Sequence, residues 1–194
     1  MNYRLNKKDL LDTLRVWNKF LNKKIHLIAC GGTALTLLGI KESTKDVDFM
    51  VPIEGEYNYL INELQKLGYT KTRGSAWSRK GDPYDCDLFV GNKIFTTELL
   101  ESPLKEGNNT LLKEFSHMYL GTLNCYDLII SKLFRSYTSD IEDCRALFKA
   151  KKKEVKIDIL KQRFLETAQY EISEEKQKDN LKYFLRILKK EKLL

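Results

Sequence analysis

Residues 25–51 read IHLIACGGTALTLLGIKESTKDVDFMV, and the order of the parts within them decides the fold. Ile25 to Ala29 is an apolar run of the length of a buried strand, ended by Gly31-Gly32. Thr33 to Leu38 then reads as a short helix stopped by Gly39, Lys41 to Lys45 as a polar loop, and Val47 to Val51 as a second strand closed by Pro52. Glycines let a backbone approach a phosphate closely and expose its amide hydrogens. A helix start adds free N–H donors suited to a triphosphate, and Thr33 supplies a hydroxyl. Asp46 and Asp48 lie two apart on a strand, so both side chains leave one face. Paired carboxylates repel unless a cation sits between them, and magnesium takes oxygen ligands that it shares with phosphates.

Outward from this stretch, Asp85 to Val90 reads as a neighbouring strand on which Asp85 and Asp87 share a face. Either can supply a third carboxylate, which completes a two-metal site for in-line displacement. Upstream, Lys7 to Leu21 is an amphipathic helix through Leu10, Leu11, Leu14, Trp17 and Leu21, capped by Asn6. Downstream come a helix over Glu56 to Leu67 and short strands over Tyr69 to Lys71 and Ala76 to Arg79. An irregular segment over Phe95 to Gly107 and one more strand over His117 to Leu120 follow. Cys125 to Tyr137, capped by Asn124, and Asp140 to Lys149 are helices, and two more run from Lys156 to the end, broken near Ile172 and Ser173. The expected fold class is α+β: a small mixed β-sheet core with helices packed on it, followed by a helical C-terminal region. The expected division is 1–100 for the core with its N-terminal helix. The mainly helical part is 101–194, with room for one strand returned to the sheet.

Thirteen residues separate Gly32 from Asp46. The Gly-Gly-Thr turn, the helix and the Asp-Val-Asp at this spacing resemble the signature of the polymerase-β nucleotidyltransferase superfamily. The wording GGTALTLLG…STKDVDF resembles the AbiEii-like and MenT-like toxin branch, or a related uncharacterised prokaryotic family. The resemblance covers roughly residues 25–150 and implies transfer of a nucleoside monophosphate from a nucleoside triphosphate to an acceptor hydroxyl. It implies two Mg2+ or Mn2+ ions on Asp46, Asp48 and Asp87, the last preferred to Asp85 because it stands just before Leu88-Phe89-Val90. The triphosphate would lie on Gly31, Gly32 and Thr33. In the downstream block, Lys132 would contact the triphosphate, with Asp140 or Asp143 in support. RNA, tRNA foremost, is the first acceptor, since MenT-type members modify tRNA, and a partner antitoxin protein belongs to the same branch. A protein hydroxyl or an antibiotic hydroxyl are alternative acceptors, and a non-catalytic nucleotide-binding or antitoxin module is the alternative outside enzymes.

Composition bounds these readings. The chain has 194 residues, 42% hydrophobic and 31% charged, with a net charge of +7, which attracts phosphates without proving a nucleic-acid partner. No apolar run reaches the length of a membrane span, so a cytoplasmic protein without membrane partners is expected. The four cysteines form no CxxC pair, which excludes a sequence-evident zinc site. His26, His117 and Trp17 read as structural, and Trp77 as packing unless exposure lets it stack a base. Arg73, Arg79 and Lys80 flank the Asp85 to Val90 strand as weak candidates for phosphate or RNA contact. The lysine run from Lys149 to Lys156 reads as a solvated face.

Overall fold

The computed structural model describes residues 3–170 and 173–194. Strand β1 (Leu5–Asn6) leads into helix α1 (Lys7–Phe20), whose start is closed by a capping box between Asn6 and Asp9. Strand β2 (Ile25–Ala29), helix α2 (Gly31–Leu37), strand β3 (Ser43–Thr44) and strand β4 (Val47–Val51) follow. Helix α3 (Glu54–Lys66) precedes strands β5 (Tyr69–Lys71), β6 (Ala76–Arg79) and β7 (Cys86–Val90). After the small β8 (Lys93–Ile94) and β9 (Thr97–Glu98) come β10 (Asn109–Glu114) and β11 (Met118–Leu123). The chain ends in helices α4 (Cys125–Arg135), α5 (Thr138–Ala150), α6 (Ile157–Ala168) and α7 (Glu174–Lys190).

Seven strands form one mixed sheet in the order β10-β11-β2-β4-β7-β6-β5. β2 is parallel to β11 and antiparallel to β4, and β4 is parallel to β7. The fold is thus α+β, a mixed sheet with helices followed by a four-helix C-terminal region. Residues beyond 100 contribute both β10 and β11 before the chain turns helical. Every residue of the central strand β4 is buried, the four apolar ones and Asp48 alike. Alternation along β4 sends Asp48 to one face and Phe49 to the other. Phe49 meets the edge of the buried Trp17 of α1, with ring centres 6.5 Å apart, and Trp17 in turn meets Tyr69 at 5.9 Å. The helical region has its own aromatic pairs, Phe134 with Phe164 and Phe148 with Phe184, and its α4 and α5 touch α2. That contact brings the C-terminal helices against the turn that follows β2.

Several boundaries differ from the sequence reading. α2 starts at Gly31 rather than Thr33, because Ala34 N already donates to Cys30 O at 2.9 Å. β3 lies within the expected polar loop, where it pairs with β1. Edge strand β10 has exposed positions and a register shift between Leu111 and Lys113, so it carries no apolar alternation. Of the break expected near Ile172 and Ser173, residue 172 lies outside the described residues, and α6 and α7 stand on either side. Among the described residues no helix is long and apolar enough to cross a membrane.

Candidate active site

Parallel pairing of β4 with β7 puts Asp48 directly beside Asp87. Asp46, just ahead of β4, lies next to Asp85 in the same register, with Val47 N bonded to Asp85 O at 3.1 Å. All four acids line one cleft of about 840 Å3. This volume suits a nucleoside triphosphate together with an acceptor group. Asp48 is 7% exposed, Asp87 half-buried and Asp46 exposed. Burial, then the neighbouring Asp87 charge, pushes the Asp48 carboxyl up to about 7, while Arg135 and Lys132 pull it back. Loss of water, then Asp87 and Asp85, also raises Asp46.

The Gly31-Gly32-Thr33 turn secures these acids. Gly31 has a left-handed backbone with φ +55°, and a Cβ there would lie 2.4 Å from Asp48 Oδ2. Only glycine therefore leaves room for the carboxylate. A Cβ on Gly32 would meet Thr44 Oγ1 at 2.6 Å. Gly32 faces the cleft, whereas Gly31 and Thr33 are buried behind it. The hydroxyl of Thr33, expected to reach a triphosphate, is committed to the main chain instead. It donates to Asp46 O at 3.1 Å and accepts from Asp48 N at 2.9 Å. Thr44 also donates to Asp46 O at 3.1 Å. The segment carrying both acids is thereby pinned by two hydroxyls.

The opposite wall comes from α4 and α5. Lys132 is 2% exposed and donates to Asp143 at 2.8 Å and Asp140 at 3.3 Å. Burial works against its charge, but Asp143 and Asp140 outweigh that and leave its ammonium held above the ordinary value. Lys41 closes on Asp143 at 2.8 Å, and Arg135 on Asp140 at 2.7 Å while lying 4.7 Å from the Phe95 ring centre. Lys132, expected to contact a triphosphate, lines the cleft together with Asp140 and Asp143. Its ammonium is enclosed by two carboxylates, so Asp140 and Asp143 fix the lysine rather than face a ligand alone. Arg135 and Lys41 are the more open cations on this wall.

Most other candidates fall away from the cleft. Trp77 is 4% exposed, too buried to stack a base. Arg79 pairs with Asp82 and covers the Tyr69 ring. Lys80 is exposed, and Arg73 lines the cleft. His26 bonds to Glu56, and His117 sits beside Ser116. Sequence reasoning missed Arg4, Lys45 and Ser75 as lining residues. The only signal for Lys41 and Lys45 was a polar loop directly before the paired aspartates, and Ser75 carried none.

Among the described residues no group of three or more His, Cys, Asp or Glu side chains is gathered closely enough to hold a metal ion. The donor set still fits a hard divalent cation. Asp48 and Asp87 stand side by side on paired strands, and their mutual repulsion is what such an ion relieves.

The family described as "Nucleotidyltransferase of unknown function (DUF6036)" matches residues 11–193. No curated protein matches the chain. Among solved structures, ANT(2'')-Ia in complex with adenylyl-2''-tobramycin is similar at a TM-score of 0.54 and 16% identity, over 80% of this chain and 92% of that one. The solution structure of the antibiotic-resistance factor ANT(2'')-Ia gives 0.52 and 14%, over 80% and 87%. A Thermotoga maritima protein described as a nucleotidyltransferase gives 0.48 and 16%, over 76% and 98%.

Proposed function

The chain belongs to the DUF6036 nucleotidyltransferases, and from that premise we propose that its cleft moves a nucleoside monophosphate from a nucleoside triphosphate to an acceptor hydroxyl. The observation that carries this reading is the pairing of Asp48 with Asp87 across β4 and β7, with Asp46 at the cleft mouth. Asp46, Asp48 and Asp87 would hold two divalent ions, Mg2+ or Mn2+. Bound there, such ions neutralise phosphate charge and stabilise the attacking and leaving oxygens.

The chain's own residues supply position and charge, on which phosphoryl chemistry mainly depends. Gly32 presents backbone to the triphosphate, with Gly31 and Thr33 holding Asp48 and Asp46 behind it. Arg135, fixed by Asp140 and Phe95, and Lys41, fixed by Asp143, offer cations to the phosphates. Lys132 acts as a positioning residue that keeps this wall together. Asp87 takes the proton of the acceptor hydroxyl, which attacks the α-phosphate as pyrophosphate leaves.

RNA, with tRNA foremost, is the acceptor in this reading. The net charge of +7 and the basic Arg4, Lys45 and Arg73 on the cleft wall support it. A small polycationic acceptor is the second reading, favoured by the acids Asp85 and Glu142 lining the same cleft and by the fold shared with ANT(2'')-Ia. The toxin–antitoxin role rests on the AbiEii-like wording alone. Growth arrest on expression, relieved by Asp46→Ala, would support it. Incubation with labelled triphosphates, magnesium and either total RNA or an aminoglycoside panel tests the acceptor. Label on RNA is expected, and label confined to the small molecules would replace RNA as acceptor.

A further inference from the structure

Transfer in this cleft requires a hydroxyl beside Asp87, and the fold already places one there. Ser75 Oγ donates to Asp87 Oδ1 at 2.6 Å. Ser75 is half-buried on the cleft wall, in the turn between β5 and β6. Thr44 and Ser139 are the other aliphatic hydroxyls lining the cleft among the described residues. Thr44 is bonded to a main-chain carbonyl, and among the described residues Ser139 meets no acid side chain of the site. Ser75 alone of these three meets a carboxylate assigned to proton transfer. Its backbone is also tied to the sheet, since Leu88 N donates to Ser75 O at 2.9 Å. Arg73, on the same turn, lines the cleft as a cation for phosphate.

We propose that Ser75 is an internal acceptor, so that the protein transfers a nucleoside monophosphate from a nucleoside triphosphate onto its own Ser75 Oγ. This rests on the nucleotidyl-transfer reading above. The Ser75 proton passes to Asp87, and a bond forms between Oγ and the α-phosphorus. The bond from that phosphorus to the bridging oxygen of the β-phosphate breaks, and pyrophosphate departs with the electron pair. The product is a phosphodiester on Ser75, beside Asp87, where any other acceptor hydroxyl would have to stand. Labelled chains should therefore lose transfer to external acceptors in proportion to their labelling.

The test incubates the full chain with each of ATP, GTP, CTP and UTP, in magnesium or manganese, without another acceptor. Intact mass and peptide mapping then read the product. One nucleoside monophosphate per chain is expected, on the peptide containing Ser75, and absent from Ser75→Ala and Asp87→Asn chains of unchanged circular dichroism. Ser75→Thr, which keeps the hydroxyl, should retain a slower adduct. A parallel incubation with total RNA scores the underlying reading separately. An adduct elsewhere, or none while RNA is labelled or pyrophosphate released, overturns the Ser75 proposal alone. No label and no pyrophosphate in any arm overturns both.

Discussion

Asp48 is held where burial and the Asp87 charge both act against its ionised form, so this single residue sets the fold against its own site. Its folded value of about 7 exceeds the ordinary 3.8. Its contribution to stability is therefore complete below about pH 4 and lost as the pH rises through about 7. The loss is on the order of 4 kcal/mol. Thermal melts of the metal-free protein should show a falling Tm between pH 5 and 8. Asp48→Asn should melt higher than the natural chain at pH 8, and added magnesium should raise the natural chain but not the variant. Identical pH profiles for the two would exclude this role for Asp48. Gly31→Ala makes the converse change, forcing a Cβ against Asp48 Oδ2 in a left-handed backbone. A cost of about 2–4 kcal/mol is expected, read as a drop in the denaturation midpoint. At this scale the sequence showed Asp46 and Asp48 through their period and the glycines through their place. It could not show that Gly31 serves a carboxylate or that Thr33 bonds the main chain, because both depend on how closely α2 approaches β4.

The wall built by α4 and α5 stands or falls as a unit. Lys132→Met would leave Asp140 and Asp143 short of their buried cation and should destabilise the fold by about 3–5 kcal/mol in denaturant titrations. Arg135→Ala should instead raise the KM for the triphosphate by about tenfold or more, since a charge-assisted contact to phosphate is removed. A normal KM in that variant would take Arg135 out of substrate binding. The elements themselves were largely legible. β2, β4 and β7 announce themselves by apolar runs, β5 and β6 by the turn residues between them, and α1 and α4 by helical spacing with Asn6 and Asn124 as caps. β1 and β3 were not, because two-residue strands have no period, nor was β10, whose edge position exposes its side chains. The Lys132 cluster joins residues of two successive helices, and no spacing within one helix reports it.

Across the whole molecule, a chain of net charge +7 surrounds a cleft whose innermost groups are acidic. In the proposed reading divalent ions reverse that inner charge, and the basic rim then draws in phosphates at long range. Binding to RNA should accordingly weaken with salt, with log K falling linearly against log salt concentration. A flat salt response in filter binding would argue for a small, compact acceptor instead. Pyrophosphate release by the full chain, measured with a nucleoside triphosphate, total RNA and magnesium, bears most directly on the shared carboxylate site. The natural chain should release pyrophosphate only with a divalent ion present, and Asp46→Ala or Asp87→Asn, folded by circular dichroism, should lose about 10³-fold or more. Release by either variant at the natural rate would contradict the account.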